Sequence, residues 1–240
     1  MTGFTLGLAG HSFAVEPLFD STAHYCSRYP APDQPEGTLT VTEEELQCQQ
    51  RRLLEEALAE GLKPRTFTDP FLERAVVQRK AAEYLRSFGI FLFHGSTVAV
   101  DGKAYLFTAP CGTGKSTHTR LWRQVFGSRA VMINDDKPFL ALTDTGVTAW
   151  GTPWSGKHGL DTNCSAPLVG VCILERGLEN RIFPLTPSQA LPFLQTQAEP
   201  EDSSLVNRLA KTVPLWRMTC NKQPEAAPIA YRAMSGLPLG

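Results

Sequence analysis

The sequence feature that most constrains the fold is a phosphate-binding loop motif at residues 109–116, Ala-Pro-Cys-Gly-Thr-Gly-Lys-Ser. It departs from the strict pattern G-x-x-x-x-G-K-[ST] only at its first position, where Ala109 replaces glycine. Such a motif indicates a nucleotide site only when it lies between a strand and a helix. Residues 103–108 are apolar and aromatic-rich, which predicts a strand, and residues 117–126 contain no helix breaker. Both flanks favour a nucleotide-binding loop over a glycine-rich turn that matches by chance.

The small residues of this loop would let successive backbone N–H groups turn inward around phosphate oxygens. We expect Lys115 to reach the β- and γ-phosphates and the Ser116 hydroxyl to bind Mg²⁺. The cofactor-binding residues that the motif predicts are Ala109, Pro110, Cys111, Gly112, Thr113, Gly114, Lys115, Ser116 and Thr117.

An acidic pair, Asp135-Asp136, ends the apolar run at residues 130–134. A carboxylate at the end of such a strand usually completes a phosphate-loop site by holding Mg²⁺. Two adjacent carboxylates allow one to serve the metal and the other to take the proton from an attacking hydroxyl. The sequence leaves open which does which, so Asp135 and Asp136 are both predicted as catalytic and metal-binding. The alternative is that Asp-Asp-Lys-Pro only begins a turn.

Residues 151–159, Gly-Thr-Pro-Trp-Ser-Gly-Lys-His-Gly, form a third candidate element. Trp154 would supply a flat surface, Ser155 a hydrogen-bond donor and His158 a titratable group. Lys157 is predicted as catalytic together with Lys115, because a fixed cation could stabilise the moving phosphoryl group or orient the acceptor. A surface loop with scattered polar side chains is the alternative.

For several isolated side chains elsewhere, the sequence does not decide between a functional and a structural role. His94 follows a predicted strand, and Arg176 follows an apolar one, from where it could approach phosphates or simply face solvent. His118, on the predicted helix after the loop, is equally compatible with facing solvent. The candidates for the substrate side of the site are Trp154, Ser155, His158, His94 and Arg176.

Composition excludes several functional classes. The 240 residues carry a net charge of −1, so no global basic field favours nucleic acid or an anionic membrane surface. The six cysteines are scattered without C-x-x-C, which argues against a zinc site or a disulfide framework. No apolar run approaches the roughly 20 residues needed to cross a bilayer, and the first apolar stretch lacks the basic region of a secretory signal. We expect a cytoplasmic protein, and its state as a monomer or homo-oligomer stays open.

Residues 1–89 are predicted to form strands and helices packed on the core, with a role in recognising a partner or substrate. Residues 3–15 predict one strand, bent in its middle, residues 16–37 a loop and residues 38–41 a short strand.

Two helices are predicted before the core. Thr42-x-x-Glu45 is a capping box that opens a helix running to about Gly61. Asp69 and Pro70 suit the start of the second, which Gly89 ends. The apolar face of this second helix is predicted at Phe71, Ala75, Val76, Ala82, Leu85 and Phe88.

Residues 90–240 are predicted to form the catalytic core. Asp101-Gly102 is a strong signal for a two-residue hairpin turn, so a β-hairpin leads directly into the phosphate loop. Further strands are predicted at residues 90–95, 97–100, 130–134, 139–142, 147–150, 168–174 and 181–185, and helices at 187–214, with breaks, and at 225–234.

The stretch from His94-Gly95 to Ser116 resembles the HPr kinase/phosphorylase family, in which a His-Gly pair, a hairpin and a phosphate loop come in the same order. The acidic pair after an apolar strand and Leu174-Glu175 fit the same pattern. The resemblance covers about residues 90–176. It implies the mixed α/β sheet shared by HPr kinase and phosphoenolpyruvate carboxykinase, and ATP–Mg²⁺ chemistry aimed at a serine hydroxyl. By this resemblance Lys115 and Ser116 bind phosphate and metal, and the acidic pair contains the base.

The chain departs from that family in several places. The Pro-Gly-Arg-Asn signature tied to phosphorylase activity is absent, and Thr117-His118 replaces the usual Glu after the loop. Residues 151–157 look more like HPr-kinase-like proteins of peptide-modification gene clusters, some of which phosphorylate a peptide serine. The leading hypothesis is therefore a kinase acting on a peptide, protein or small-molecule hydroxyl. Alternatives are a non-catalytic nucleotide-binding regulatory module and a kinase of a free amino acid or sugar.

Overall fold

The computed structural model describes residues 3–31, 34–59, 61 and 63–236. The chain forms two compact units, residues 1–85 and 86–240. Residues 32, 33 and 60, which belong to the predicted loop and helix, lie outside the described residues. The division into a recognition segment and a catalytic core at residue 89 stays a prediction.

The first unit begins with a hairpin. Strands β1 (Phe4–Leu8) and β2 (His11–Glu16) pair antiparallel. Ala9, with φ 50°, and Gly10, with φ 86°, make the left-handed turn that two-residue hairpins use. The prediction of one strand over residues 3–15 is wrong, because an alanine at positive φ gives no turn signal in the sequence.

Three helices and one further strand follow among the described residues of this unit. Helix α1 (Asp20–Cys26) lies where only a loop was predicted, and β3 (Gly37–Thr40) pairs in parallel with β2. Helix α2 (Glu43–Ala59) opens with the predicted capping box, which is confirmed. The Thr42 N–H donates to Glu45 Oε2 over 3.0 Å, and the Glu45 N–H donates to Thr42 Oγ1 over 3.3 Å.

Helix α3 (Asp69–Arg86) is confirmed, but its buried face differs from the predicted one. Val76, Ala82 and Leu85 are buried as predicted, and Leu72, Glu73, Val77 and Ala81 join them. Phe71 is 41% exposed and stacks on Phe67, with ring centroids 4.6 Å apart, and Phe88 is 49% exposed, so the prediction that these two residues lie on the buried face is wrong.

Glu73 is a fully buried carboxylate on α3. It accepts hydrogen bonds from the Leu18 N–H, the Phe19 N–H and the Thr22 hydroxyl. A buried charge of this kind is tolerated only because donors surround it. It therefore joins α3 to the start of α1.

Replacing this carboxylate should destabilise the first unit. Glu73→Ala is expected to lower the free energy of unfolding by roughly 3 kcal/mol, since each buried donor left unpaired costs about 1–3 kcal/mol. Chemical denaturation followed by circular dichroism measures the loss. The matched control is Glu83→Ala on the same helix, where an exposed pair with Arg79 is worth only about 0.3–0.5 kcal/mol. Equal losses in the two variants would contradict this account of Glu73.

The second unit is built on a mixed sheet with helices on both faces. The described strands are β4 (Ile90–Leu92), β5 (Ser96–Val100), β6 (Lys103–Thr108), β7 (Ala130–Asn134), β8 (Phe139–Thr143), β9 (Gly146–Trp150), β10 (Ser165–Arg176), β11 (Arg181–Leu185) and β12 (Leu215–Cys220). The described helices are α4 (Lys115–Phe126), α5 (Pro187–Gln195), α6 (Ser203–Thr212) and α7 (Ala226–Ser235). Both predicted hairpins, β5–β6 and β8–β9, are confirmed.

Strand β10 organises this sheet. Its start pairs antiparallel with β9, and its second half pairs in parallel with β6 on one side and β12 on the other. The path of the sheet runs β4-β8-β9-β10-β6-β5-β7. Because β6 and β10 are parallel, with Thr108 opposite Ile173, their carboxyl ends lie at the same edge of the sheet. This edge carries the phosphate-loop motif.

Alternate residues of β6 enter two apolar clusters. Ala104 and Leu106 belong to the cluster that contains buried residues of α5 and α6. Tyr105 and Phe107 belong to the cluster that contains buried residues of α4 and α7. Successive side chains of a strand point to opposite faces of the sheet, so β6 packs against α5 and α6 on one face and against α4 and α7 on the other. This layered arrangement is consistent with an α/β nucleotide-binding fold.

The sequence interpretation missed β12, which follows the predicted helical region and pairs along β10. The helical stretch itself divides into α5, a short 3-10 turn at Pro200–Asp202 and α6. Within the described ranges, no helix is long and apolar enough to cross a membrane.

Candidate functional site

The phosphate-loop motif connects β6 to α4, the strand and helix context that the sequence predicts. Gly112, with φ 74°, and Gly114, with φ 127°, take backbone conformations that L side chains rarely adopt. The Thr113 N–H closes a turn on the Pro110 carbonyl over 3.2 Å. Ala109 is fully buried and is not among the described residues with positive φ. An alanine therefore fits at the first motif position without backbone strain.

Lys115 begins α4 and is buried. Its Nζ donates to the Ala109 carbonyl over 2.9 Å, across the base of the loop. Burial lowers the pKa of Lys115, while the charges of Asp136, Cys111 and Asp135 act in the opposite direction. The remaining ammonium donors make Lys115 a partly desolvated cation that suits a phosphate ligand.

Arg176, at the end of β10, binds the phosphate loop itself. Its Nε donates to the Thr113 carbonyl over 3.1 Å and its Nη2 to the Gly112 carbonyl over 2.5 Å. In a trans peptide the C=O and the following N–H point in opposite directions, so this contact turns the Gly114 N–H away from the guanidinium. Arg176 is exposed but is held against the loop backbone by these two bonds, and its contact with a phosphate stays a prediction.

Asp135 directly follows β7 and is 5% exposed. The Ser96 hydroxyl donates to its Oδ1 over 2.6 Å. Ser96 Oγ also lies 2.8 Å from Thr119 Oγ1, and both hydroxyl residues are buried. The sequence interpretation missed Ser96 and Thr119. For Ser96 the available signal was the polar pair Ser96-Thr97 at the start of the otherwise apolar β5. Thr119, on α4, had no such signal.

Asn134, also missed, fixes the turn that carries the acidic pair. Its Oδ1 accepts the N–H groups of Asp136 and Lys137 over 2.8 and 2.7 Å. Its Nδ2 donates to the Thr152 carbonyl over 2.9 Å, and the Thr152 hydroxyl donates to the Lys137 carbonyl over 2.8 Å. The turn of Asp136 and the start of the 151–159 loop are thus held together.

Asp136 is the more exposed member of the acidic pair. Burial raises the pKa of Asp136, the cations Lys137 and Lys115 oppose the rise, and Asp135 adds to it. A raised pKa is what a carboxylate needs to accept a proton near neutral pH.

His94 lies next to Asp136, with its Nε2 3.5 Å from Asp136 Oδ1. Burial, followed by the charges of Lys115 and Lys137, lowers the pKa of His94 to about 3, against the effect of a hydrogen bond with Gln197. The imidazole is therefore neutral at physiological pH. It contributes a neutral hydrogen-bonding group, not a cation, beside Asp136.

The 151–159 loop returns to the acidic pair at Gly156. A Cβ added to Gly156 would lie 3.1 Å from Asp136 Cβ, so only glycine allows this approach without displacement. Lys157 and His158 are exposed on the short 3-10 turn Gly156–His158. Among the described residues Lys157 makes no ion pair, and its catalytic role stays a prediction.

Two side chains of this loop are placed differently from the prediction. Trp154 is only 7% exposed, so the expected flat binding surface at this residue is wrong. Ser155 is buried, and its hydroxyl donates to Asp161 Oδ1 over 2.5 Å. Both side chains are buried, whereas the side chains of Lys157 and His158 are exposed.

His118 is a core residue. It is 2% exposed, packs edge-on against Phe107, and its Nε2 accepts the indole N–H of Trp122 over 3.1 Å. Burial lowers the pKa of His118 to about 3. The solvent-facing alternative for His118 is therefore excluded, and its imidazole is uncharged at physiological pH.

The residues present fit a magnesium nucleotide. No cluster of three or more His, Cys, Asp or Glu that could hold a metal by itself occurs in the described part of the chain. Mg²⁺ needs no such cluster, because it binds through one or two carboxylates, substrate phosphates and water. The Asp135 Oδ2 accepts no hydrogen bond from any described residue, which leaves it available as a ligand.

Comparisons with known proteins add little to this geometry. No family model matches the chain, and no curated protein is significantly similar to it. Among solved structures it is similar to the Hpr(Ser) kinase/phosphatase from Coxiella burnetii, with a TM-score of 0.38 and 11% identity, over 60% of this chain and 93% of that chain. A similarity this low carries no argument about activity. The class of protein rests on the site: a mixed α/β fold with a candidate nucleotide-binding loop.

Proposed function

We propose that this protein is a small HPr-kinase-like phosphotransferase that moves the γ-phosphoryl group of ATP to a hydroxyl, in particular a serine of a peptide or protein. The observation that carries the proposal is the position of Lys115. Its Nζ binds the Ala109 carbonyl across the loop; burial lowers the pKa of Lys115, and the charges of Asp136 and Asp135 oppose that shift. A cradle, a buried cation and an acidic pair are the parts that phosphoryl transfer needs.

The magnesium ion would be held by Ser116 and Asp135. When bound, it would neutralise charge on the β- and γ-phosphates. We assign the metal role to Asp135 because its carboxylate is buried and oriented by Ser96, which leaves one oxygen free. The backbone N–H groups of the loop and Lys115 would bind the phosphates, and Arg176 would keep the loop in shape.

We assign the role of general base to Asp136. The acceptor oxygen forms a bond to the γ-phosphorus, the bond from that phosphorus to the β–γ bridging oxygen breaks, and ADP leaves. The hydroxyl proton passes to the Asp136 carboxylate, whose raised pKa suits this task. The neutral His94 beside it would hold Asp136 in place without adding a positive charge.

The acceptor would approach over the 151–159 loop. Gly156 lies against Asp136, so whatever binds on this loop comes close to the proposed base. The exposed Lys157 and His158 are the groups there that can bind an acceptor. We therefore propose that Lys157 orients the acceptor. ATP as the donor and six free cysteines fit the cytoplasm as the site of action.

The test is transfer from γ-labelled ATP to candidate peptides, free amino acids, sugars and HPr-like proteins, with the product mass read by mass spectrometry. The expected result is a mass gain of one phosphoryl group on a hydroxyl, which disappears when EDTA removes the metal. Nucleotide binding without transfer to any acceptor class, and without ATP turnover, would instead support a regulatory nucleotide-binding module.

A further inference from the structure

A chain of buried hydroxyl groups joins helix α4 to the first aspartate of the acidic pair. Thr119 is 1% exposed, Ser96 is fully buried and Asp135 is 5% exposed. Thr119 Oγ1 lies 2.8 Å from Ser96 Oγ, and Ser96 Oγ lies 2.6 Å from Asp135 Oδ1. No water separates groups this close, so the three side chains form one continuous hydrogen-bonded chain.

The direction of this chain follows from counting protons. A hydroxyl has one proton, and an ionised carboxylate can only accept, so Ser96 donates to Asp135. Thr119 must then donate to Ser96. The other acceptors near Thr119 Oγ1, the carbonyls of Lys115 and Ser116, lie farther away, at 3.4 and 3.3 Å.

The chain joins the two halves of the candidate site. Thr119 lies four residues after Lys115, about one helical turn, and so on the same side of α4. Ser96 begins β5, which pairs with both β6 before the loop and β7 before Asp135. Any shift of α4 relative to β7 would stretch bonds of 2.6 and 2.8 Å. The direction of the Asp135 carboxylate is thereby tied to the helix that carries Lys115 and Ser116.

We propose that Ser96 and Thr119 are positioning residues, which orient Asp135 so that its free oxygen binds the divalent cation of a nucleotide at the phosphate loop. This inference rests on the proposed function, because it assigns a cation to Asp135. It goes beyond that function by placing the control of cation affinity in two residues that touch neither nucleotide nor metal.

A purely structural role makes a different prediction. If the hydroxyls only compensate a buried charge, their loss lowers stability but leaves the cation affinity of folded molecules unchanged. If they orient Asp135, cation affinity falls even in fully folded protein. The loss of an outer partner of a metal ligand typically weakens metal affinity by about 10–100-fold.

The experiment titrates Mn²⁺ into full-length protein saturated with a non-hydrolysable ATP analogue, and follows free Mn²⁺ by electron paramagnetic resonance. Binding of the analogue without metal is measured in parallel by calorimetry, and the folded fraction by circular dichroism. The variants are Ser96→Ala, Thr119→Val and Thr119→Ser, where the last keeps the hydroxyl. The matched control is Thr97→Val, which removes a neighbouring buried hydroxyl that has no hydrogen-bond partner in the described structure.

Ser96→Ala is expected to weaken Mn²⁺ about 10–100-fold and Thr119→Val by a smaller factor, while Thr119→Ser and Thr97→Val stay within about twofold of wild type. Metal-free analogue binding should be unchanged in all four. Equal Mn²⁺ affinity in folded Ser96→Ala and Thr97→Val would overturn the inference while leaving the proposed function intact. If the wild-type protein bound Mn²⁺ equally well with and without the ATP analogue, the proposed function would be overturned, and the inference with it.

Discussion

Lys115→Ala is expected to abolish ATP turnover. Lys115 begins α4, and its Nζ already binds the Ala109 carbonyl, so the ammonium group is fixed before any ligand arrives. A preorganised donor aimed at developing charge contributes about 2.7–4 kcal/mol to transition-state stabilisation, roughly 10²–10³-fold in rate. The loss should be larger here, because the phosphates would also lose their one buried cation among the described residues of the loop.

Replacing the Lys115 ammonium by an uncharged side chain of similar length, as in Lys115→Met, should not unfold the protein. Burial lowers the pKa of Lys115, which means that its charged form is disfavoured in the folded state. This penalty is present at any pH below the folded-state pKa, where Lys115 is protonated, so Lys115→Met should be at least as stable as wild type there. Thermal melting of Lys115→Met, beside its ATP turnover, separates a catalytic loss from a folding loss.

The matched control for Lys115 is Lys103→Ala. Lys103 is an exposed lysine at the start of β6, the strand that leads into the same loop, and it has no part in the site. Turnover in this variant should stay within about twofold of wild type, as is usual for surface substitutions. If Lys115→Ala kept the turnover of Lys103→Ala, the assignment of residues 109–116 to a phosphate-binding loop would be wrong.

Local patterns predicted the parts of the fold that depend on neighbours in sequence. The Asp101-Gly102 turn, the capping box at Thr42 and the strand and helix around the loop all depend on residues a few positions apart. The turn at Ala9-Gly10 was missed because an alanine at positive φ is rare and carries no signal.

Contacts between distant residues are what the sequence could not predict. Ser96 reaches Asp135 across 39 positions, and Arg176 reaches Gly112 across 64. Nothing in the local sequence of β5 or β10 indicates these partners, because each depends on which strands pair. The burial of Trp154 is a similar case, since a loop rich in glycine and polar residues is usually exposed.

The sequence did predict that Asp135 and Asp136 follow a strand, which is β7. It did not predict that the two carboxylates have different environments. Asp135 and Asp136 are adjacent and chemically identical. Ser96 orients Asp135 inside the sheet, whereas Asn134 turns the chain so that Asp136 comes beside His94 and Gly156. Environments that differ in this way are how proteins assign different roles to like carboxylates.

Exchanging each aspartate for asparagine should therefore give two different losses. Asp136→Asn is expected to lower phosphoryl transfer by roughly 10²–10⁴-fold, the usual contribution of a general base, while Mg²⁺-dependent nucleotide binding stays near wild type. Asp135→Asn should lose transfer and also weaken cation binding, because it removes a charged ligand. Each variant is the control of the other. Transfer is measured with γ-labelled ATP, and cation affinity by Mn²⁺ titration.

The pH profile adds a readout that tests Asp136 as the base. A base acts only when ionised, so transfer should rise with pH through the pKa of Asp136, which burial places above the ordinary 3.8 of an aspartate. Lys137 opposes that rise, so Lys137→Met should raise the pKa further and move the acid limb of the profile to higher pH. Two results would exclude Asp136 as the base: an acid limb at the same pH in Lys137→Met and wild type, or an Asp136→Asn variant that transfers phosphate as fast as wild type. Asp135 would then be the remaining carboxylate of the pair for proton transfer.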